Sequence, residues 1–320
     1  MSSNKELSYE IPDVIRVNKD GIVERLMVYP YVPPSLQDPI SGGISSKDIL
    51  ISPHLSARLY LPKSTPTKPH KLPIFVYIHG GGFVIGSAFA QLEHNYLNTI
   101  VSHTNALVIS VEYRLAPEHL LPTAYQDCWT ALQWVASHAT SHGRTTLLNQ
   151  ESWLVELGDF ERLYIGGDSA GANIVHNLAL QAGRESLNGD VKILGGFLGC
   201  PYFWSSLYGV EGLPYGCWMM AHPQAEGGID NPMINPFVGG GDGRRLIAAE
   251  YGVRKLLVVA TEKDELREIN IKYFEGVKES EWDGEVEFME IEGENHCFYV
   301  LDSTTEKAKL VMERLASFIV

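Results

Sequence analysis

The sequence has little of what would tie it to a metal, a membrane or a nucleic acid. Only four of its 320 residues are cysteine. Cys128, Cys200, Cys217 and Cys297 show none of the paired CxxC spacing of a zinc site or a redox dithiol. They read as free thiols, and neither a metal nor a cofactor is expected. No stretch approaches the roughly 20 consecutive apolar residues of a membrane span. The opening MSSNKELSYEIPDVIRV lacks the basic start and apolar run of a signal peptide, and no Asn-x-Ser/Thr acceptor occurs, so a cytoplasmic setting is expected. Positive charge is short as well. The 25 basic residues face 39 acidic ones, a net charge of −14 whose field repels a phosphate backbone or an anionic membrane. Neither partner is expected. Repeats and low-complexity linkers are also missing, and 45% hydrophobic residues suffice for one large core.

What is present is an alternation of strands and helices. Short apolar, β-branched runs fall at Leu72 to Ile78, Ala106 to Val111, Arg162 to Ile165, Val191 to Leu198, Leu256 to Ala260 and Val286 to Ile291. Helix-length segments separate most of them, among them Ala124 to His138, and Leu301 to Val320 reads as a terminal amphipathic helix. This pattern predicts an α/β fold with a mostly parallel central sheet flanked by helices. Gly21 to Met27 and Leu55 to Leu61 precede it, and the second alternates like an antiparallel edge, with Ser56, Arg58 and Tyr60 opposite Leu55, Ala57, Leu59 and Leu61. Two segments break the alternation, residues 1–20 and 204–241. Both are expected to cover a site carried by the sheet.

Chemistry concentrates in a few places. Gly167-Asp168-Ser169-Ala170-Gly171 follows one predicted strand and precedes the helix-like Asn173 to Gln181, the strand-turn-helix context that G-x-S-x-G requires. A serine on so tight a turn needs glycines around it, and its hydroxyl sits at a helix N-terminus where negative charge is favoured. His79-Gly80-Gly81-Gly82-Phe83 follows another strand and can aim several backbone N–H groups inward. It lacks the lysine and spacing of a phosphate loop. A nucleophilic serine then needs a base and an orienting carboxylate further along the chain. Asp264 and His296 each follow a predicted strand in that order, with Glu262 and Glu265 as alternative orienters. The expected chemistry is acyl transfer through Ser169, with Asp264 and His296 completing the triad and the N–H groups of Gly81, Gly82 and Ala170 as the oxyanion hole. Among the aromatic residues near these motifs, Phe83, Trp218 and Phe298 are the expected substrate contacts.

These residues resemble the plant carboxylesterases in the hormone-sensitive-lipase branch of the α/β-hydrolases. The resemblance runs along nearly the whole chain: Lys19-Asp20-Gly21, Val23-Glu24-Arg25, Ser45-Ser46-Lys47-Asp48, the glycine loop, Glu112 to Glu118, Gly167 to Ile174, and Asn231-Pro232 before Asn235-Pro236. It implies one α/β-hydrolase domain over residues 1–320 and maps the triad and oxyanion hole onto the residues just named. Tyr29 to Leu36 and Asp230 to Pro236 are also similar to the cyclases of monoterpene indole alkaloid pathways. Those cyclases depart from the hydrolase pattern in the glycine loop and carry a tyrosine at the histidine position, whereas this chain keeps Gly81 and His296. The family further includes hydroxyisoflavanone dehydratases, with threonine at the nucleophile position, and hormone receptors that lack the histidine. Ser169 bears against the first and His296 against the second. The resemblance therefore implies a carboxylesterase acting on a small ester, in plant specialised metabolism. A lyase or cyclase acting on an alkaloid-like substrate is the alternative, and a non-catalytic receptor a weaker one.

Overall fold

A computed structural model describes residues 6–36, 43–63, 71–141, 150–238 and 250–319. The chain opens with strands β1 (Leu7–Ile11), β2 (Ile15–Asn18) and β3 (Val23–Arg25), which form a small antiparallel sheet of their own. Then come β4 (Ser45–Ser52), β5 (Leu55–Leu61), β6 (Leu72–Ile78), helix α1 (Gln91–Thr104), β7 (Leu107–Glu112), α2 (Thr123–Ser137) and α3 (Ser152–Leu157). The second half holds β8 (Gly158–Asp168), α4 (Ala170–Arg184), β9 (Ile193–Gly199), α5 (Gly212–Ala221), β10 (Val253–Thr261), α6 (Arg267–Lys278), β11 (Glu285–Ile291), α7 (Phe298–Leu301) and α8 (Glu306–Ile319). No helix among the described residues is long and apolar enough to cross a membrane.

Eight strands form the main sheet in the order β11-β10-β9-β8-β6-β7-β5-β4. Neighbours from β7 to β11 pair in parallel, and β5 runs against both β7 and β4. The parallel strands β6 to β10 are largely buried on both faces, as their continuous apolar runs demand, while β11 closes the sheet as a half-buried edge. On β6, Ile74, Val76 and Ile78 face the core shared with α2 and α4, while Phe75 and Tyr77 face the one shared with α1 and α8. From β6 the chain crosses to β7 on one side and then returns to β8 on the other. That order change puts a crevice between the ends of β6 and β8, the place where open α/β sheets bind ligands.

The edge departs from the sequence reading in two respects. Val23–Arg25 belongs to the small separate sheet, and the outer strand of the main sheet is β4, whose SSKDILIS reads poorly as a strand because only Ser46 of its eight residues is fully buried. The polar face expected for β5 is buried. Arg58 lies beneath the surface, paired with Asp48 of β4 at 2.6 and 2.9 Å and stacked 5.1 Å from the Phe89 ring, while the Tyr60 hydroxyl meets His94 Nδ1 at 3.3 Å. The pair with Asp48 and the ring contact are what hold a guanidinium there, and alternation alone does not reveal them.

Residues of both expected covering segments, Val14 beside β2 and Leu213, Pro214 and Cys217 of α5, line the cavity at the crevice. β1 packs on α5, with the Tyr9 hydroxyl donating to Gly216 O at 3.3 Å. Arg25 reaches across to Val84 O at 2.8 Å and forms a two-pronged pair with Glu118 at 2.7 Å. Beyond residue 238 the expected covering segment lies outside the described residues. Asn173, on the first turn of α4, ties the cover to the sheet: its carbonyl accepts from Tyr125 Oη at 2.7 Å, and its amide donates to Tyr202 O at 2.9 Å and Met233 O at 2.8 Å. Asn173→Ala leaves the Tyr125 hydroxyl and Tyr202 O without these partners, while Met233 O keeps Asn177 Nδ2 at 3.1 Å, a loss of about 2–3 kcal/mol. It is expected to lower the urea midpoint of unfolding at unchanged slope.

Candidate active site

The nucleophile turn is built by close approach of backbones. Ser169 joins β8 to α4 with φ 54° and ψ −115°, a conformation a serine holds only where its surroundings force it. A Cβ on Gly167 would lie 2.5 Å from Ile78 O, and one on Gly171 only 2.0 Å from the same oxygen. Glycine at both positions is therefore what lets the turn seat against the end of β6. The Ser169 N–H donates to Gly199 O at 2.8 Å, and its carbonyl accepts from Asn173 and Tyr202 N–H groups at 3.0 Å.

The loop after β6 lies against this turn, since a Cβ on Gly80 would be 3.3 Å from Ser169 Cβ. Gly81 and Gly82 adopt φ of 104° and 61°, and among the described residues neither they nor Ala170 donate a backbone hydrogen bond. Three N–H donors are thus free beside Ser169, one of them at the start of a helix. His79 braces the loop from beneath. It stacks on Tyr113 at 4.2 Å and its Nδ1 contacts Gly80 O at 2.8 Å, while burial pushes its pKa down to about 4, so the ring stays neutral.

Asp264 follows β10, and its Oδ1 accepts the Leu266 N–H at 3.0 Å while Oδ2 lies 2.6 Å from His296 Nδ1. Its neighbours do other things: Glu262 accepts from Gly293 N–H at 2.6 Å, and Glu265 faces the cavity. The Asp264 side chain is 1% exposed and that of His296 37%, so the carboxylate is locked and the imidazole open to the cavity. Burial works against charge on His296, but the bond to Asp264 and the negative charges of Asp264 and Asp168 outweigh it and raise its pKa. His296 Nε2 lies 3.6 Å from Cys297 Sγ, and no hydrogen bond joins it to Ser169. Such loose contacts are common in sites without substrate.

Ser169, Asp264, His296, Gly81 and Gly82 line one cavity of about 310 Å³, walled by apolar side chains such as Met27, Tyr29, Leu213, Leu266 and Val300. The three expected aromatic contacts are not in its wall. Phe83 and Trp218 are fully buried with ring centroids 6.3 Å apart, in a cluster with Tyr125 and Tyr202, and Phe298 packs on Tyr299. For Trp218 the reason is helix geometry. On α5, Leu213, Pro214 and Cys217 face the cavity, so Trp218, about 100° further round, points into the core.

The structure adds groups that the motifs did not indicate. Asp168 is buried beside the cavity and accepts from Tyr77 Oη at 2.9 Å and Tyr299 Oη at 2.6 Å; burial raises its pKa to about 6 against these bonds. Glu93 of α1 lines the same cavity with Oε2 unpartnered, and burial followed by the nearby Asp168 raises its pKa to about 8. At neutral pH it holds a proton and can donate a hydrogen bond. Its one sequence signal is position, an acid on the same helical face as Tyr96, Leu97 and Ile100.

Comparison with known proteins agrees with this geometry. Residues 75–300 match the family described as the alpha/beta hydrolase fold. The chain is 48% identical to a 2-hydroxyisoflavanone dehydratase of Glycyrrhiza echinata, over 100% of this chain and 98% of that one. It is 45% identical to the catharanthine synthase of Catharanthus roseus, over 99% and 97%. With "Probable carboxylesterase 1" of Arabidopsis thaliana it shares 37%, over 99% and 98%.

Only neutral His296 can accept a proton, and its raised pKa means that the competent form appears late as pH rises. The acid limb of kcat/KM for an activated ester is expected above the ordinary histidine value of about 6.5. Asp264→Asn should move that limb to lower pH and cut turnover about ten-thousand-fold. A limb unmoved by Asp264→Asn would disconnect the carboxylate from the base.

Proposed function

The chain belongs to the α/β-hydrolase fold family, in the branch that holds the plant carboxylesterases, and we propose that it is a serine carboxylesterase acting on small apolar esters. The observation that carries this reading is the 2.6 Å pair of Asp264 and His296 opening onto the cavity in which Ser169 sits beside free N–H donors. His296 Nε2 takes the Ser169 proton as Oγ attacks the ester carbonyl, and the N–H groups of Gly81, Gly82 and Ala170 receive the oxyanion. The proton then passes from His296 to the leaving alcohol, and a water activated by the same imidazole releases the acid. The setting we propose is the cytoplasm of a cell with a specialised metabolism rich in such esters.

A second reading has its own support. The dehydratase and the catharanthine synthase named above are similar to this chain over its full length, and elimination needs only a base and a polarised oxygen. In that reading His296 removes a carbon-bound proton, the oxyanion donors hold the enolate, and the leaving group departs without an acyl-enzyme. Ser169 is then a spectator. A receptor reading has less behind it, since binding alone requires no paired Asp264 and His296.

One comparison separates the two enzymatic readings. Ser169→Ala is expected to lower hydrolysis of nitrophenyl acetate and butyrate more than about a thousandfold with the fold retained. If the variant keeps its rate on an acetylated alkaloid or a 2-hydroxyisoflavanone, elimination is the native reaction. Across a nitrophenyl series, acetate or butyrate is expected to be cleaved faster than octanoate, since the cavity is at the small end of ligand sites. Faster cleavage of octanoate would contradict the small-ester reading.

A further inference from the structure

Far apart in sequence, two thiols converge on the imidazole of the candidate triad. Cys200 Sγ, Cys297 Sγ and a ring nitrogen of His296 lie within 4.8 Å of one another. Cys200 follows β9 with φ 44° and Cys297 precedes α7 with φ 48°, so both hold a backbone conformation uncommon for a residue with a Cβ. Cys297 and His296 line the cavity, and Cys200 lies beneath them, with Thr261 Oγ1 at 3.7 Å and Tyr299 Oη at 3.9 Å behind its sulfur.

We propose that Cys200, Cys297 and His296 form a binding site for a thiophilic metal ion, Zn²⁺ above all, and that occupancy switches off the base of the reaction. Geometry supplies the first argument. Zinc bonds of about 2.3 Å to sulfur and 2.0–2.1 Å to nitrogen at tetrahedral angles separate the two ligand atoms by about 3.6 Å. The Nε2 to Sγ distance between His296 and Cys297 is 3.6 Å, so the pair is already spaced for a shared ion.

The surroundings supply the second. A metal-binding histidine commonly donates its other ring N–H to a carboxylate, which fixes the ring and strengthens the ligand. Asp264 Oδ2, 2.6 Å from His296 Nδ1, stands in that place. Charge supplies the third, because two thiolates and a neutral imidazole bind a divalent ion with no net charge left in a buried place. Binding forms two metal–sulfur bonds and one metal–nitrogen bond and releases to solvent the two thiol protons, together with the Nε2 proton of His296 where the ring is charged. The fourth position faces the cavity and can take a water. With its lone pair in the metal bond, Nε2 can accept no proton from Ser169 or from a substrate carbon, so either enzymatic reading of the site is inhibited.

The test uses the full chain, first stripped with a chelator. Titration with Co²⁺ is expected to give a thiolate-to-cobalt charge-transfer band that saturates at one ion per chain and is displaced by Zn²⁺. Zn²⁺ should also protect Cys297 from iodoacetamide, a readout that needs only the wild-type protein. Ester hydrolysis should fall in parallel and return with EDTA, while Mg²⁺, which prefers oxygen ligands, has no effect. Cys200→Ala should weaken Zn²⁺ binding about tenfold or more, with inhibition read against the variant's own metal-free rate. Absence of the charge-transfer band, or inhibition by Zn²⁺ undiminished in Cys200→Ala, would overturn the proposal. Metal binding with no change in hydrolysis would overturn the switching half of it.

Discussion

The contact on which the rest of the structure depends is made by atoms that are missing. Around Ser169 three glycines bring backbones closer than any side chain allows: Gly171 and Gly167 against Ile78 O, and Gly80 against Asp168 O. This contact joins the ends of β6 and β8, the strands between which the chain order reverses, and so sets Ser169 and the N–H groups of the glycine loop side by side. Strain at Ser169 is the other face of the same constraint. A residue with φ 54° persists because its N–H and carbonyl are both held, by Gly199, Asn173 and Tyr202, so relaxing the turn would break three hydrogen bonds.

Beneath that contact runs a polar scaffold that connects the Ser169 turn to the His296 loop. Asp168 precedes Ser169 and binds Tyr299, three residues beyond His296, as well as Tyr77 on the neighbouring strand β6. One buried carboxylate thereby fixes the histidine loop against the nucleophile turn. A carboxylate in such a place is costly unless its oxygens are occupied, and two tyrosine hydroxyls occupy them. The same carboxylate adds to the affinity of His296 for protons, after the bond to Asp264 and the charges of Cys200 and Asp264.

The sequence made legible what is local. Six parallel strands and the helix after Ser169 announced themselves through runs of apolar residues and a motif whose glycines have a steric reason, and the structure places each of them within a few residues of expectation. Asp264 was separable from Glu262 and Glu265 only through space, by the 2.6 Å contact that one of the three makes. Trp218 was misplaced because composition says that a segment is rich in large side chains but not which way α5 turns them, while Phe83 and Phe298 stand beside cavity residues in sequence yet pack into aromatic clusters behind the wall. Glu93 and the Cys200–Cys297 pair escaped for a related reason, as no short-range pattern marks residues that meet across the sheet. Strand β4 was hidden by its exposure, since an edge with one wet face lacks the apolar run that marks a central strand.

Relatives called dehydratase and synthase alongside one called carboxylesterase are less contradictory than they first seem when the site is read as physical equipment. Hydrolysis and elimination both begin with a neutral imidazole accepting a proton and an oxygen gaining negative charge near fixed N–H donors. They differ in whether the proton comes from a hydroxyl or from carbon, and in whether a serine oxygen is close enough to the carbonyl to add. In this chain Ser169 is held on its turn by contacts that would persist with any small residue there, because the glycines and not the hydroxyl define the turn. The framework is therefore stable to loss of the nucleophile, and the choice between reactions falls to the cavity wall. That wall comes largely from the cover, through Met27 and Tyr29 on one side and Leu213, Pro214 and Cys217 on the other. These segments carry none of the motifs that define the fold, so they are free to vary while the sheet and the turn remain as they are.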